Sequence, residues 1–201
     1  FPPSTGKLAV TTVTGITATR GTTVTTHTLS AKIHNVSPSY VTTSTQMQNA
    51  IDAAAPGDLI LVAPGTYNEL VIMDKPVQLQ GCGAGVTKLT AIRHPAEKLS
   101  AWREEIKARA GSSFTLLPGQ ADTFDAEEGP GFFVVGLDTG NFAAGMNTRI
   151  DGFEIAGALQ GGGIYINAYV DFLEISNNKI INNQGTYGGG IRIGNPTQTI
   201  E

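Results

Sequence analysis

The sequence predicts an all-β protein built as a parallel β solenoid, and three observations carry that expectation. Two segments repeat at an offset in the mid-twenties, short apolar runs alternate with Gly-, Pro- and Asn-rich corners, and charged residues make up only 15% of the chain. Gly161-Gly162-Gly163-Ile164-Tyr165-Ile166 matches Gly188-Gly189-Gly190-Ile191-Arg192-Ile193, an offset of 27 (191 minus 164). Upstream, Ile150-Asp151-Gly152-Phe153-Glu154-Ile155 aligns with Ile175-Ser176-Asn177-Asn178-Lys179-Ile180 at an offset of 25 (175 minus 150). A period of that size is one turn of a solenoid, and short strands with Asn and Gly at the corners select the β type over helical repeats.

The apolar share of 40% leans on Val, Ile, Leu and Ala and comes with 25 glycines among 201 residues, which suits short strands and turns. A net charge of -4, from 13 basic and 17 acidic residues, gives no electrostatic footprint for nucleic acid or an anionic membrane. No apolar run approaches the roughly 18 residues that span a bilayer, so no membrane insertion is expected. The single cysteine, Cys82, excludes an intramolecular disulfide and a cysteine-built metal site within this chain. Phe1-Pro2-Pro3 lacks a signal-peptide layout, and Gln198-Thr199-Ile200-Glu201 reads as a strand. Together they predict a longer natural protein that continues after Glu201.

Residues 1–40 are expected to be a β-rich segment, either the end of a preceding domain or a lead-in. Alternation is clearest in Leu8-Ala9-Val10-Thr11-Thr12-Val13 and again from Thr22 to Ile33, after the turn signal Arg20-Gly21. Residues 41–201 are expected to be the N-terminal part of the solenoid. A capping helix comes first, over 43–55, with Thr43 as N-cap, Gln46 completing a capping box, and Met47, Ala50, Ile51 and Ala54 on one face. Strands follow at Leu59-Ile60-Leu61-Val62, Leu70-Val71-Ile72 and Val77-Gln78-Leu79-Gln80. Between them lie the turns Ala63-Pro64-Gly65-Thr66-Tyr67 and Asp74-Lys75-Pro76, and the bend Gly81-Cys82-Gly83-Ala84-Gly85 closes the set. Cys82 is expected to be a buried small residue at that bend.

Residues 94–131 break the pattern and are read as an insertion. Its helix opens at Pro95, carries Leu99, Trp102 and Ile106 on one side, and ends near Gly111; an acidic loop from Gln120 follows. The simplest role for the helix is to pack Trp102 against the side of the β structure. In the repeats, Ile164, Ile166, Ile191 and Ile193 are expected to point inward. Tyr165 then lies beneath Arg192 and Glu154 beneath Lys179, one strand spacing of about 4.8 Å apart. Such pairs are worth roughly 0.2–1 kcal/mol each, so they set register more than they stabilise. Asn177 and Asn178 fall at a corner, where Asn tolerates left-handed geometry and its amide can bond to the neighbouring turn.

The run Asn49-Ala50-Ile51-Asp52-Ala53-Ala54-Ala55-Pro56-Gly57-Asp58, leading into Leu59-Ile60-Leu61-Val62-Ala63-Pro64-Gly65-Thr66-Tyr67, resembles the opening of the pectin-lyase-like β-helix superfamily. The Gly-Gly-Gly-Ile repeats resemble its later coils. The resemblance covers about half the chain outside the insertion and implies a right-handed, three-sheet parallel β-helix that often acts on polysaccharides.

The chemistry of those relatives does not carry over by residue. Hydrolases of the superfamily use clustered aspartates with a Gly-His-Gly and an Arg-x-Lys element, because cleavage needs two placed carboxylates. This sequence has no Asp-Asp pair and no Gly-His-Gly, and Ile191-Arg192-Ile193-Gly194 lacks the lysine. The lyase branch uses calcium-binding acids with an Arg or Lys base, and no matching cluster lies on the repeats. Asp151 and Asp171 are read as turn residues, and His27, His34 and His94 as structural or exposed. Asn35-Val36-Ser37 fits a glycosylation pattern that Pro38 disfavours, and Gly81–Gly85 lacks the helix and Lys-Ser/Thr of a phosphate loop.

No catalytic residue, metal ligand or cofactor is therefore expected. The candidate binding residues are Tyr165, Asn167 and Arg192 on the outward face of the coils. The expected function is that of a noncatalytic module in a larger extracellular or cell-surface protein, a rigid scaffold or a surface for polysaccharide or another surface protein. A lyase or hydrolase with its catalytic coils beyond residue 201, and a fibre or appendage subunit, are the alternatives.

Overall fold

The computed structural model describes residues 16–20, 23–27, 33–36, 45–92, 94, 96–110, 129–137, 140–167, 170–185 and 188–194. It begins with β1 (Ile16–Arg20) and β2 (Thr23–His27), an antiparallel pair in which Arg20 faces Thr23. Then come β3 (Ile33–Val36) and α1 (Gln46–Ala53). The remaining strands are visited in rotation: β4 (Leu59–Val62), β5 (Gly65–Tyr67) and β6 (Val71–Met73), then β7 (Gln78–Gly81) and β8 (Thr87–Thr90). After α2 (Ala96–Ala110) the rotation resumes with β9 (Phe132–Val134), β10 (Arg149–Asp151), β11 (Glu154–Ala156), β12 (Ile164–Ile166), β13 (Glu174–Ser176), β14 (Lys179–Ile180) and β15 (Ile191–Ile193).

Three parallel sheets result, each taking one strand from each circuit from β4 onward, and β3 adds a fifth strand to the first. The first runs β3-β4-β7-β10-β13, the second β5-β8-β11-β14 and the third β6-β9-β12-β15. Registers match the sequence repeats: Ile150 pairs with Ile175, Glu154 with Lys179, Ile164 with Ile191 and Tyr165 with Arg192. β3 also pairs in parallel with β4, Ile33 opposite Leu59, which joins that stretch of the N-terminal region to the first sheet.

The core lies between the sheets and is filled by one inward column from each strand, including Ile60, Leu79, Tyr67, Leu89, Phe132, Ile150, Phe153, Ile155 and Ile164. Every one of these is at most 1% exposed, and burying a side chain such as Leu79 is worth about 1.5–3 kcal/mol. Phe132 and Phe153 meet edge to face at 5.6 Å.

One expected turn contains a strand, and another strand, not expected from the sequence, follows the bend that ends at Gly85. Gly65–Tyr67 and Thr87–Thr90 pair within the second sheet, with Thr66 opposite Lys88. Three- and four-residue strands carry little periodicity, and the Pro64-Gly65 and Gly83–Gly85 signals hide them.

Met47 and Ile51 of α1, with Ala54 at its C-cap, close one end of the core. Its N-terminus differs from the expected capping box. Thr43 lies outside the described residues, the helix starts at Gln46, and Thr45 makes no side-chain cap bond. The acceptor is instead the buried Glu69 carboxylate from the β5–β6 loop, which takes the Met47 N–H at 3.0 Å and the Gln48 N–H at 3.2 Å. A carboxylate is a stronger acceptor than a hydroxyl and complements the helix dipole. Gln48 in turn stands in for a strand neighbour at the edge of β6: its Oε1 accepts the Ile72 N–H at 2.7 Å and its Nε2 donates to the Ile72 carbonyl at 3.1 Å.

Helix α2 matches the expected insertion helix. Leu99, Trp102 and Ile106 are buried on the outer face of the third sheet with Leu70, Ile72, Phe133 and Val135, and Trp102 sits 5.9 Å from Phe133. Lys98 Nζ donates to the carbonyls of Asn68 and Ile92, and Arg109 pairs with Asp52 at 2.8 Å and Asp74 at 3.2 Å, fastening both ends. Residues 111–128, including most of the expected acidic loop, lie outside the described residues.

Cys82 is exposed rather than buried, with Sγ 3.4 Å from the Val62 carbonyl. Gly81 holds the buried position at that bend, because a Cβ there would strike the Gly152 carbonyl of the next circuit.

Candidate functional site

The three residues singled out from the sequence share the third sheet and its following corner, but they are largely engaged within the protein. Tyr165 is 2% exposed; its ring stacks on Phe133 at 4.9 Å and 3°, and the Arg192 guanidinium lies 4.7 Å above its other side. Phe133, Tyr165 and Arg192 thus form one outward column in register. Asn167 is 1% exposed and brackets Gly136 one circuit earlier, accepting its N–H at 2.6 Å and donating to its carbonyl at 2.7 Å. Arg192 is half-buried. Tyr165 and Asn167 therefore hold circuits together, and neither offers an open surface.

Asn recurs in that bracing role. Asn178 accepts the Phe153 N–H at 2.9 Å and donates to the Ile150 carbonyl at 2.7 Å; Asn183 repeats the geometry on the Ala158 N–H and the Ile155 carbonyl, at 3.0 and 2.9 Å. Asn178, which the sequence placed at a corner, bonds to the backbone of the equivalent corner one circuit earlier.

Carboxylates on the outer faces are engaged across circuits as well. Glu154 lies between Lys88 at 3.3 Å and Lys179 at 3.0 Å, and hydrogen bonds from Lys179 and Lys88 hold its carboxyl below the usual range. Asp151 accepts from Gln80 Nε2 at 2.9 Å, Ser176 Oγ at 2.8 Å and Asn177 Nδ2 at 3.0 Å. Desolvation opposes its ionisation, yet these three donors and the nearby Arg149 outweigh it and lower its pKa. Asp151 is thus tied to other side chains and not to a turn of its own backbone. His34, in β3, meets the buried Asp58 at 2.8 Å, and Asp58 also accepts the Ala55 N–H. His94 is exposed.

Burial raises the Glu69 pKa against the opposing pull of the α1 N–H groups and Lys98, while burial lowers that of Lys98 to about 8. Both groups are committed to backbone partners. A carboxylate poised for proton transfer needs a reacting atom within hydrogen-bond reach. Asp151, Glu154 and Glu69 all spend their oxygens on the protein itself. Among the described residues, no group of three or more His, Cys, Asp or Glu is placed to hold a metal ion, and no helix is long and apolar enough to cross a membrane.

One surface feature escaped the sequence reading. The corners of two successive circuits turn on residues with left-handed backbones: Asn147, Gly152 and Gly157 at φ 50°, 79° and 84°, and Phe172, Asn177 and Asn182 at 56°, 54° and 53°. The pairs align at the repeat offset of 25, since Asn147 and Phe172 each stand two residues before the register partners Arg149 and Glu174. Five of the six are Asn or Gly, the residues that reach this conformation at least cost; Phe172 is not. A bulky side chain there costs about 1–2 kcal/mol. Burial does not offset that cost, for Phe172 is 64% exposed. Asn147 and Asp171 are exposed beside it and Met146 is 36% exposed. The signal was available in the sequence as the phase of the repeat, 172 minus 147.

No family model matches this chain, and neither a curated protein nor a solved structure is similar enough to count as a match.

Proposed function

We propose that the chain is part of a right-handed, three-sheet parallel β-helix of the pectin-lyase-like kind, serving as a noncatalytic scaffold module of a larger secreted or cell-surface protein and presenting its outer faces to carbohydrate or to another surface protein. The observation that carries this reading is the use made of the polar side chains. Asp151, Glu154, Asn167, Asn178 and Asn183 all bond from one circuit to the next. Such cross-circuit bonds suit a stiff stack, in which each repeat is stabilised chiefly by its neighbours. The rotation of the chain through three parallel sheets supports the β-helix reading, and the run from Asn49 to Tyr67 supports the likeness to that superfamily.

The test is to incubate the protein with a panel of neutral and uronate polysaccharides, following both new reducing ends and the absorbance of unsaturated uronate. Neither signal is expected. Product formation abolished by a single point substitution would overturn the scaffold reading.

A further inference from the structure

We propose that α2 is a strap that holds α1 on the end of the core, and that the buried Lys98 and Glu69 let pH set how tightly the strap closes.

Contacts at both ends of α2 lead to α1. At its C-terminal end Arg109 lies 2.8 Å from Asp52, in the last turn of α1, and 3.2 Å from Asp74, in the turn that follows β6. Lys75, beside Asp74, donates to the Asp52 and Ala54 carbonyls at 3.2 Å each and ties that turn to the same end of α1. At the N-terminal end of α2, Lys98 Nζ donates to the Asn68 carbonyl at 2.9 Å, and the next residue, Glu69, accepts the Met47 and Gln48 N–H groups of α1. One short segment thus carries a partner for each helix. Gln48 in turn closes the edge of β6 through the Ile72 N–H and carbonyl. Loosening α2 therefore disturbs both places where α1 is held.

The grip of α2 on the third sheet is limited to Leu99, Trp102 and Ile106. Trp102 Nε1 and Asp74 Oδ1 are buried with no hydrogen-bond partner among the described residues, and each gains one from water on release. The titratable groups facing Glu69 are Lys98 from α2 and Tyr67 from β5, while α1 presents its N–H groups. At the far end Arg109 faces Asp52, Asp74 and Glu105. Burial lowers the Lys98 pKa from 10.5 to about 8 and raises that of Glu69 above 4.5. The lowered lysine favours the closed strap at alkaline pH, and that contribution is lost as pH falls through about 8. The raised carboxyl favours closure at acid pH, and its contribution is lost as pH rises through its folded value. Closure is therefore weakest in between, where both groups are charged.

Hydrogen exchange of the intact chain, corrected for the intrinsic rate at each pH, reads release of α2 at the Trp102–Ile106 amides and unseating of α1 at the Met47 and Ile72 amides. Between pH 7 and pH 9 the Lys98 shift favours closure about tenfold, which its part exposure reduces to roughly threefold. Protection at both sets of amides is expected to rise by at least that factor towards pH 9, and to rise again towards pH 5. Lys98→Met removes the alkaline rise and Glu69→Gln the acid one. Leu99 packs in a cluster that contains no residue of α1, so Leu99→Ala separates a strap from an independent helix. It is expected to lower protection at Trp102–Ile106, Met47 and Ile72 together, at least threefold, and to leave unchanged the Ile181 amide, which bonds to the Ile155 carbonyl. Equal protection at pH 7 and pH 9, a Leu99→Ala effect confined to α2, or either rise persisting in its variant would each overturn the proposal. The profile of the unsubstituted chain carries the test without any variant.

Discussion

Replacing Asn178 or Asn183 with alanine tests the bracing directly, because the two side chains make the same pair of bonds at different corners. Asn178→Ala removes the acceptor for the Phe153 N–H and the donor to the Ile150 carbonyl; Asn183→Ala does the same to the Ala158 N–H and the Ile155 carbonyl. A backbone group left unsatisfied costs about 1–3 kcal/mol when buried, and both sites are part-buried, so two lost bonds amount to about 2–3 kcal/mol per substitution. In a chain of this length each kcal/mol moves Tm by about 2–4 °C, so a fall of roughly 4–12 °C is expected for either variant by calorimetry. Hydrogen exchange supplies a local readout: the Phe153 amide loses protection in Asn178→Ala and the Ala158 amide in Asn183→Ala, each without the other. The exposed Asn49, whose side chain accepts from the Thr45 hydroxyl at 3.3 Å, serves as the comparison and its alanine variant is expected to change Tm by less than about 2 °C. If either Asn178→Ala or Asn183→Ala behaves like Asn49→Ala, the amide bridges do not hold the circuits together and the argument fails.

At the capped end, Glu69→Gln keeps an acceptor for the α1 N–H groups and is expected to hold or raise stability at neutral pH. Glu69→Ala leaves the Met47 and Gln48 N–H groups unsatisfied and is expected to cost about 2–4 kcal/mol in denaturant unfolding. Because burial raises the Glu69 pKa in the folded state, its contribution to stability is fully present at acid pH and is lost as pH rises through that pKa. The Glu69→Gln variant should lack this fall from about pH 4.5 upward, and an identical pH profile in both proteins would contradict it. Gly81→Ala drives a Cβ into the Gly152 carbonyl of the next circuit and is expected to lower Tm by at least about 5 °C, whereas Gly83→Ala meets no atom within 4 Å and suffers only from its φ of 121°. Equal effects at the two glycines would show that circuit spacing is not limited by that contact.

The repeat alone determined much of this protein. Ile164 beneath Ile191, Glu154 beneath Lys179 and Tyr165 beneath Arg192 follow from offsets of 25 and 27, because residues at one phase of a period must share one column. The amphipathic faces of α1 and α2 were legible for the same reason: the spacing of Met47 and Ile51, or of Leu99, Trp102 and Ile106, is local.

What the tertiary structure decided depends on residues distant in sequence. Glu69 caps α1 and Gln48 closes the edge of β6, although neither lies near its partner along the chain. β5 and β8 are too short to impress a period on the sequence and become strands only through neighbours in the adjacent circuits. Tyr165 and Asn167 fall on the outward phase, yet stacking on Phe133 and bonding to Gly136 bury them. Periodicity fixes which way a side chain points, while burial depends on what the rest of the chain brings to meet it. Phe172 is the converse case, a left-handed corner residue that the fold leaves exposed.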